Sequence, residues 1–329
     1  MLMKNKFYLI LCVFLVVTSA KAEVFTSADG YKFEVNLYLQ KDSVMLGEPI
    51  YMDFDVKNLS DVDLGVLYGG DYRNEFGRPD SFDVKVIDSK GEIVPKPKTI
   101  TFGGLIGFQK SPVGQSFNFR LYLSHWATFE KIGDYKIQIE KSLVVKKYDL
   151  KNMSFDDSQE GIPVKLTALI KVVSSNFQKM GVVVDTIGRQ IVEGNNTADK
   201  LVPFIKDARI IKYLALAIKK NQWLMRYLAK FNDNRALNAI VGRIKDEKQE
   251  IRRNVSVALS LSVHPKAEVY LLQMRTDKYY AIRLDVVHYL GKTKTLKSTK
   301  LLKEMMNDEN EQVGNEAKRY LTERGEKLN

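Results

Sequence analysis

Cysteine is nearly absent from this chain, since Cys12 alone among 329 residues carries a thiol. Residues 23–329 contain none, which excludes disulfide bonds and thiolate metal sites from that part of the protein. Histidine is almost as scarce: His125, His264 and His288 do not fall in a metal-ligand spacing such as H-E-x-x-H. Stability must therefore come from ordinary hydrophobic cores.

Motifs that mark common enzyme sites are also missing. The sequence has no G-x-S-x-G nucleophile elbow, no P-loop and no dinucleotide-binding glycine pattern. The stretch "FGGLIGF" at 102–108 holds three glycines but matches none of these spacings. We therefore predict a protein without catalytic residues, cofactor or metal. Both tryptophans, Trp126 and Trp223, are assigned to the core.

Long apolar runs are missing except near the first residues. In "MLMKNKFYLILCVFLVVTSAKAEV", Lys4 and Lys6 precede an apolar run over residues 7–17, and small residues end at Ala22. This order predicts a signal peptide at residues 1–22, cleaved before Glu23. The run is too short for the roughly 20 residues that span a bilayer. We expect an exported protein, periplasmic or extracellular (including the cell surface), with no transmembrane anchor after cleavage.

Charge divides the remaining sequence into two parts. Residues 23–175 hold 19 Lys and Arg against 22 Asp and Glu, a net charge of −3. Residues 176–329 hold 29 against 18, a net charge of +11. An asymmetry of this size between halves indicates two domains, 23–175 and 176–329.

The first domain alternates apolar and polar residues, with turn clusters such as "VIDSKGE" between the alternating stretches. Six or seven short strands over about 150 residues predict an antiparallel β-sandwich. The predicted strands lie in "YKFEVNLYLQ", "PIYMDFDVKNLS", "SFDVKVIDSKGEIV", "SFNFRLYLS", "DYKIQIEKSLVV" and "PVKLTALIKVV".

Two stretches resemble immunoglobulin-like domains of exported bacterial proteins. "LGEPIYMDFDVKNLSD" is similar to their opening strands, and "IGDYKIQI" to their penultimate strand. Tyr135 in the second stretch corresponds to the tyrosine corner of that fold. The resemblance implies an Ig-like sandwich and carries no functional information.

The second domain repeats a helical pattern every 31 residues. Asp246, Asp277 and Asp308 stand in register, and apolar residues follow them at offsets that place them on one helical face. The first-helix positions are Ile251, Val255, Ala258 and Leu259; Ile282, Val286, Tyr289 and Leu290; and Val313, Ala317, Tyr320 and Leu321. A second helix per unit follows with Ala236 and Ile240, Ala267 and Leu271, and Ser298 and Leu302.

This pattern resembles short HEAT repeats, whose units open with Asp and carry Val/Ile-Arg in the first helix. Ile251-Arg252 and Ile282-Arg283 match, whereas the last unit has Gly314 in place of the arginine. The resemblance implies an all-α HEAT-like solenoid in which Asp and Arg pair between neighbouring units. The implied structural ladder consists of Asp246, Arg252, Asp277, Arg283 and Asp308, with Asp277 and Arg283 as partners.

A solenoid of this kind is built for contact, so we predict a non-catalytic binding protein, an adaptor or scaffold. Its partner is expected to be a protein, or an anionic component of the cell envelope. The candidate binding residues lie on second helices: Arg243, Arg275, Lys300 and Lys303. A phosphate backbone would also suit the positive charge, but the signal peptide argues against nucleic acid. The alternative is an envelope enzyme or inhibitor acting through sandwich loops 68–80 and 102–116, which are long and contain glycine.

Overall fold

A computed structural model of the chain describes residues 18–19, 22–67, 82–97, 107–149, 161–199 and 201–327. It divides into two compact units, Met1–Phe177 and Gln178–Asn329. The first is β-rich and the second is helical. The boundary between the units, after Phe177, lies two residues beyond residue 175, where the charge and the periodicity of the sequence change.

The first unit holds eleven strands in its described residues. In chain order they are β1 Thr18–Ser19, β2 Glu23–Thr26, β3 Lys32–Leu39, β4 Ser43–Met45, β5 Tyr51–Asn58, β6 Leu64–Leu67, β7 Asp83–Ile87, β8 Gln109–Ser111, β9 Ser116–Tyr122, β10 Gly133–Lys147 and β11 Ile162–Val173. A 3-10 turn, Leu123–His125, follows β9.

The strands form two sheets. One has the order β1-β3-β5-β9, with β2 also paired to β3, and all its pairs are antiparallel. The other has the order β4-β11-β10-β6-β8, with β7 also paired to β10. Its pairs are antiparallel except β4 with β11, which run parallel. The wholly antiparallel pairing expected from the sequence is therefore wrong at this one edge.

Alternation explains why these segments become strands. Along β11, Val164, Leu166, Ala168 and Ile170 are buried while the residues between them are exposed. The inward residues of both sheets belong to one hydrophobic cluster, centred on large side chains such as Phe33, Phe54 and Phe119. Burial of this shared cluster joins the two sheets.

One predicted turn is confirmed in detail. After β7 the chain reverses over residues 88–92, where Asp88 N donates to Glu92 O at 2.9 Å. The Asp88 carboxylate accepts from the backbone N–H groups of Lys90 and Glu92, both at 2.9 Å. Gly91 has a φ of 83°, which a residue without Cβ adopts at no steric cost.

The second unit is built from short helices. In chain order they are α1 Phe177–Glu193, α2 Asn196–Asp199, α3 Ile211–Ala217, α4 Met225–Leu228, α5 Asn234–Val241, α6 Gln249–Ser260, α7 Ala267–Gln273, α8 Tyr280–Lys292, α9 Leu296–Met305 and α10 Glu311–Glu323. The 3-10 turns are Val202–Phe204, Ala208–Ile210, Gln222–Leu224 and Met274–Thr276.

Side-chain caps fix where several of these helices begin. The Asp233 carboxylate accepts from Arg235 N at 2.7 Å before α5. Thr295 and Ser298 form a reciprocal capping box at α9, and Asn310 accepts from two backbone N–H groups of α10. Helices α6, α8 and α10 pack side by side in that order, and α7 and α9 pack on α6 and α8.

Candidate functional site

The apolar positions of the 31-residue register form the core of the helical unit. In α6, α8 and α10 the predicted first-helix positions are buried, apart from Tyr289 and Tyr320, which are half-buried. The predicted second-helix residues are buried as well, including Ala267, Leu271 and Leu302. The helical periodicity is therefore confirmed, and it directs one face of each helix inward.

An arginine–aspartate pair joins α6 to the turn before α8. Arg252 Nε lies 2.7 Å from Asp277 Oδ2, and Arg252 Nη2 lies 2.9 Å from Asp277 Oδ1. Its remaining nitrogen, Nη1, donates to the backbone carbonyls of Asp246 at 2.9 Å and Glu247 at 3.1 Å. One guanidinium thus ties two successive Asp-containing turns together.

The next pair repeats this geometry one unit later. Arg283 Nε and Nη2 lie 2.8 Å and 2.7 Å from the two carboxylate oxygens of Asp308, and Nη1 lies 2.7 Å from Asp277 O. The Arg283 side chain is only 6 % exposed. A bidentate arginine–carboxylate pair is stronger and more directional than a single hydrogen bond.

The predicted partner of Arg283 is wrong. The sequence paired it with Asp277, but Arg283 reaches only the backbone carbonyl of that residue. Its carboxylate partners are Asp308, in a bidentate contact, and the exposed Glu309 at 3.1 Å. The reason lies at the start of each unit, where Asp277 Oδ1 also accepts from Tyr279 N at 2.9 Å. This contact fixes the carboxylate before α8, within reach of Arg252 on the preceding helix.

The Arg–Asp series changes at both ends of the register. Asp246 pairs with Arg243, 2.7 Å away and three residues before it. Asn221, thirty-one residues before Arg252, donates to Asp199 at 2.8 Å. At the other end a Cβ added at Gly314 would lie 3.0 Å from the backbone oxygen of Met306, so a side chain there is crowded.

The pairing alters the acidity of the buried carboxylates. Burial alone would raise the pKa of Asp277, but hydrogen bonds from Arg252 and Tyr279 N outweigh it and hold the pKa below its usual value. For Asp308, burial is likewise outweighed by Arg283 and Asn310 N, and its pKa is lowered. Both carboxylates are therefore charged in the folded protein at neutral pH.

The four candidate binding residues have different surroundings. Arg243 is half-buried and forms an ion pair with Asp246, and Lys303 forms an ion pair with Glu326 at 2.7 Å. Arg275 is exposed and donates to Leu272 O at 3.0 Å, and Lys300 is exposed. Two of the four charges are thus already neutralised by carboxylates.

A cleft of about 520 Å³ lies at the turns between successive helix pairs. It is lined by both members of the Arg252–Asp277 pair, together with Lys245, Asp246 and Lys278 among others. The β-rich unit has a cleft of about 910 Å³, whose charged lining includes Asp42, Asp88, Asp134, Lys136 and Lys171. The predicted loop 68–80 and residues 102–106 lie outside the described residues, and within 107–116 the chain forms β8 and begins β9.

The three histidines have structural surroundings. His264 is buried: its Nδ1 accepts from Lys266 N at 3.2 Å, so Nε2 donates to Asn234 Oδ1 at 3.1 Å. His288 Nδ1 lies 3.3 Å from both Tyr320 Oη and Glu316 Oε1. Burial, then the nearby Lys96, lowers the pKa of His125. In the described part of the chain, His, Cys, Asp and Glu side chains form no group of three that could hold a metal.

Other contacts in the helical unit carry no sequence signal. Ser256, fully buried on α6, lies 2.5 Å from Asp285 Oδ2 on α8. Burial raises the pKa of that carboxyl and outweighs the Ser256 hydrogen bond and the nearby Arg253, which lower it. Arg324 donates to the carbonyls of Leu290 at 2.5 Å and Gly291 at 3.1 Å, which satisfies the C-terminal end of α8. Neither contact belongs to the 31-residue pattern, so the sequence alone does not predict it.

The assignment of both tryptophans to the core is half right. Trp126 is buried against the cluster of the β-rich unit. Trp223 is 60 % exposed, and the Arg226 guanidinium carbon lies 4.0 Å from its ring centroid. A cation over an indole face stabilises an exposed ring without burying it.

No family model matches this chain, and no curated protein matches it in sequence. None of the helices in the described residues is both long and apolar enough to cross a bilayer.

Proposed function

We propose that this protein is an exported, non-catalytic adaptor that uses a HEAT-like helical stack as a binding surface, attached to an Ig-like β-sandwich. The observation that carries the proposal is the repeated Arg–Asp pairing, Arg252–Asp277 and Arg283–Asp308, one unit apart. A pairing that recurs at the sequence period supports serial stacking of equivalent units. Such stacks offer extended surfaces to partners.

The β-rich unit supports the Ig-like part of the proposal through two details. Tyr135 Oη donates to Lys131 O at 2.8 Å, four residues upstream, as a tyrosine corner does. The two sheets share one core, and β10 and β11 pair over a long stretch from Gly133–Val172 to Leu143–Ile162. These features favour a sandwich fold, but a sandwich fold by itself does not indicate a function.

Export is proposed from the sequence of residues 1–22. Cleavage before Glu23 would remove β1, which pairs with β3 at two positions only, Thr18–Leu39 and Ser19–Tyr38. It would leave β2 paired with β3 over Glu23–Thr26. The first sheet would thus keep its core strands in the mature protein. N-terminal sequencing of native protein should begin at Glu23, and an intact Met1 on the folded protein would overturn the export proposal.

The proposed partner is a protein contacted by the second helices. Arg275 and Lys300 are exposed there, and Arg243 and Lys303 flank them in sequence with partly neutralised charges. Nucleic acid is not proposed, because an exported protein is separated from it. The alternative, an envelope enzyme or inhibitor, would act through the sandwich loops 68–80 and 102–116.

Site-specific photo-crosslinking tests the binding surface. A photoreactive residue placed at Arg275 or Lys300, in protein expressed in its own envelope, should give one discrete adduct with a protein. The matched control is Arg253, an exposed arginine on first helix α6. Adducts of equal yield from all three positions, or from none, would contradict a binding surface on the second helices. Adducts that arise only from positions in loop 102–116 would favour the alternative.

A further inference from the structure

The turns inside each helix pair lie next to one another and form one edge of the helical unit. Val263 N, in the α6–α7 turn, donates to Ala229 O after α4 at 3.0 Å. Lys297, at the start of α9, lies 3.3 Å from Glu268 at the start of α7. We call residues 261–268 and 291–297 the turn edge.

Aliphatic side chains project from the turn edge into solvent. Leu261 is 57 % exposed, Val263 is 59 % exposed and Leu296 is 92 % exposed. Leu296 is the first residue of α9, and its side chain faces solvent. Single exposed apolar residues are ordinary, but three on two adjacent turns form a patch that favours an apolar environment.

Lysine side chains are also exposed on the turn edge. Lys266, Lys292 and Lys294 are exposed, and within the described residues no ion pair involves them. Lys297 meets Glu268, the only carboxylate within the turn edge, so the edge keeps a net positive charge. In "GKTKTLK", Lys292 and Lys294 lie four and two residues before Leu296, and Lys297 follows it directly.

We propose that the turn edge docks on a membrane surface that contains anionic phospholipid. Lysines near such a surface gain free energy from its negative potential, while aliphatic tips enter the boundary between headgroups and acyl chains. The exposed aliphatic side chains favour a membrane over an acidic protein, because they gain free energy by leaving water at the boundary between headgroups and acyl chains, whereas lysines alone would suit either partner.

This inference goes beyond the proposed function and does not depend on it. The turn edge comprises the turns inside each helix pair and the first residues of α7 and α9, whereas Arg275 and Lys303 lie toward the other ends of those second helices. A membrane contact at the turn edge would leave those other ends free for a protein partner.

Vesicle cosedimentation of the full chain tests the proposal. The vesicles are pure phosphatidylcholine, or phosphatidylcholine mixed with phosphatidylglycerol, at low salt. Because apolar residues 7–17 can insert into any bilayer, the measured quantity is the ratio of binding to anionic and neutral vesicles. We expect at least a tenfold preference for anionic vesicles, and we expect it to fall as added salt screens the charges.

Three variants assign the binding to the turn edge. Lys292→Ala with Lys294→Ala should weaken anionic-vesicle binding by about fivefold per lysine. Leu296→Ser should weaken it by roughly fivefold or more, because it removes an aliphatic side chain that leaves water on docking. The control, Lys245→Ala with Lys248→Ala, removes two exposed lysines from the turn before α6 and should change binding by less than about twofold. That turn lies at the other end of α6.

Several results would overturn the proposal. Equal binding to both vesicle types, or no binding to either, would exclude an anionic lipid surface. Full binding by Leu296→Ser together with loss in the lysine variant would indicate an acidic polymer or protein in place of a membrane. An equal loss in the control variant would assign the binding to net charge alone.

Discussion

The two units reach stability by different kinds of contact. In the β-rich unit, partners come from distant parts of the sequence, as when Tyr51 on β5 pairs with Tyr122 on β9. In the helical unit, the Arg–Asp pairs join residues 25 positions apart and recur one unit later. The first unit therefore depends on one shared core, and the second on a series of similar local interfaces. Contacts that recur at a fixed period can be predicted from the sequence, whereas the pairing of distant strands in a sheet is much harder to predict.

The largest effect is expected in the shared core. Phe54 is fully buried in strand β5, and its ring packs edge-on against Phe82, the residue before β7 of the other sheet, with the ring centroids 5.3 Å apart. Phe54→Ala should lower the free energy of unfolding by about 3–5 kcal/mol. Hydrogen exchange should show faster exchange throughout both sheets, because they share that core.

A substitution in the helical unit sharpens the contrast. Leu321 is fully buried on α10, and Leu321→Ala should cost about 2–5 kcal/mol. Its effect on hydrogen exchange should concentrate in α8, α9 and α10, since serial stacks open locally. Faster exchange spread evenly over α3 to α10 would mean that the helices form one cooperative core, and the comparison would break.

Arg283→Ala tests the interface between stacked units. Both Arg283 and Asp308 are buried, so Arg283→Ala should cost about 3 kcal/mol, because the substitution strands a buried carboxylate. Arg319 serves as control: its side chain is 47 % exposed, and Arg319→Ala should cost less than about 0.5 kcal/mol. Urea melts measure both, and equal losses would contradict the predicted burial effect.

Gly291→Ala tests how closely the first helices approach. A Cβ at Gly291 would lie 2.5 Å from ring atoms of Tyr320, so the ring must move. We expect a loss of about 1–3 kcal/mol in thermal or urea unfolding. Gly291→Ala with Tyr320→Leu should recover part of that loss, because the shorter side chain vacates the space. No recovery would assign the cost to another contact of Gly291.

Acid should weaken the helical unit through the paired aspartates. The folded pKa values of Asp277 and Asp308 are lowered, so their stabilisation is fully present above the unfolded pKa of about 3.9 and is lost as pH falls through the folded values. The urea midpoint of the helical transition should therefore drop below about pH 4. Asp308→Asn should start from a lower midpoint at neutral pH and show a smaller drop. An unchanged pH dependence would contradict the pairing.

Sequence reasoning succeeded where a residue pattern follows from local geometry. Alternation located the longer strands, such as β3, β5 and β11, and the 31-residue period located the buried faces of α6, α8 and α10. It missed β6, because Leu64–Leu67 is buried at every position and shows no alternation. It also missed the parallel strand β4, whose partner β11 lies more than a hundred residues later.

The candidate site was predicted less completely for a physical reason. The pattern identified Arg283 as a ladder residue, but the direction in which its guanidinium extends decides the partner, and this depends on tertiary packing. The exposed Leu296 and the lysines around it stand outside the repeated positions, so the period does not mark them. Arg324 likewise acts through backbone carbonyls, which any sequence provides.

The most direct test of the repeated interface is a pair of double-mutant cycles in urea. One cycle combines Arg283→Ala with Asp308→Ala, and the other combines Arg319→Ala with Glu323→Ala, an exposed arginine–carboxylate pair. A buried bidentate pair should give a coupling energy of about 1.5–3 kcal/mol, and the exposed pair less than about 0.5 kcal/mol. Coupling energies that are equal and near zero in both cycles would contradict the account of serial units held together by Arg–Asp pairs.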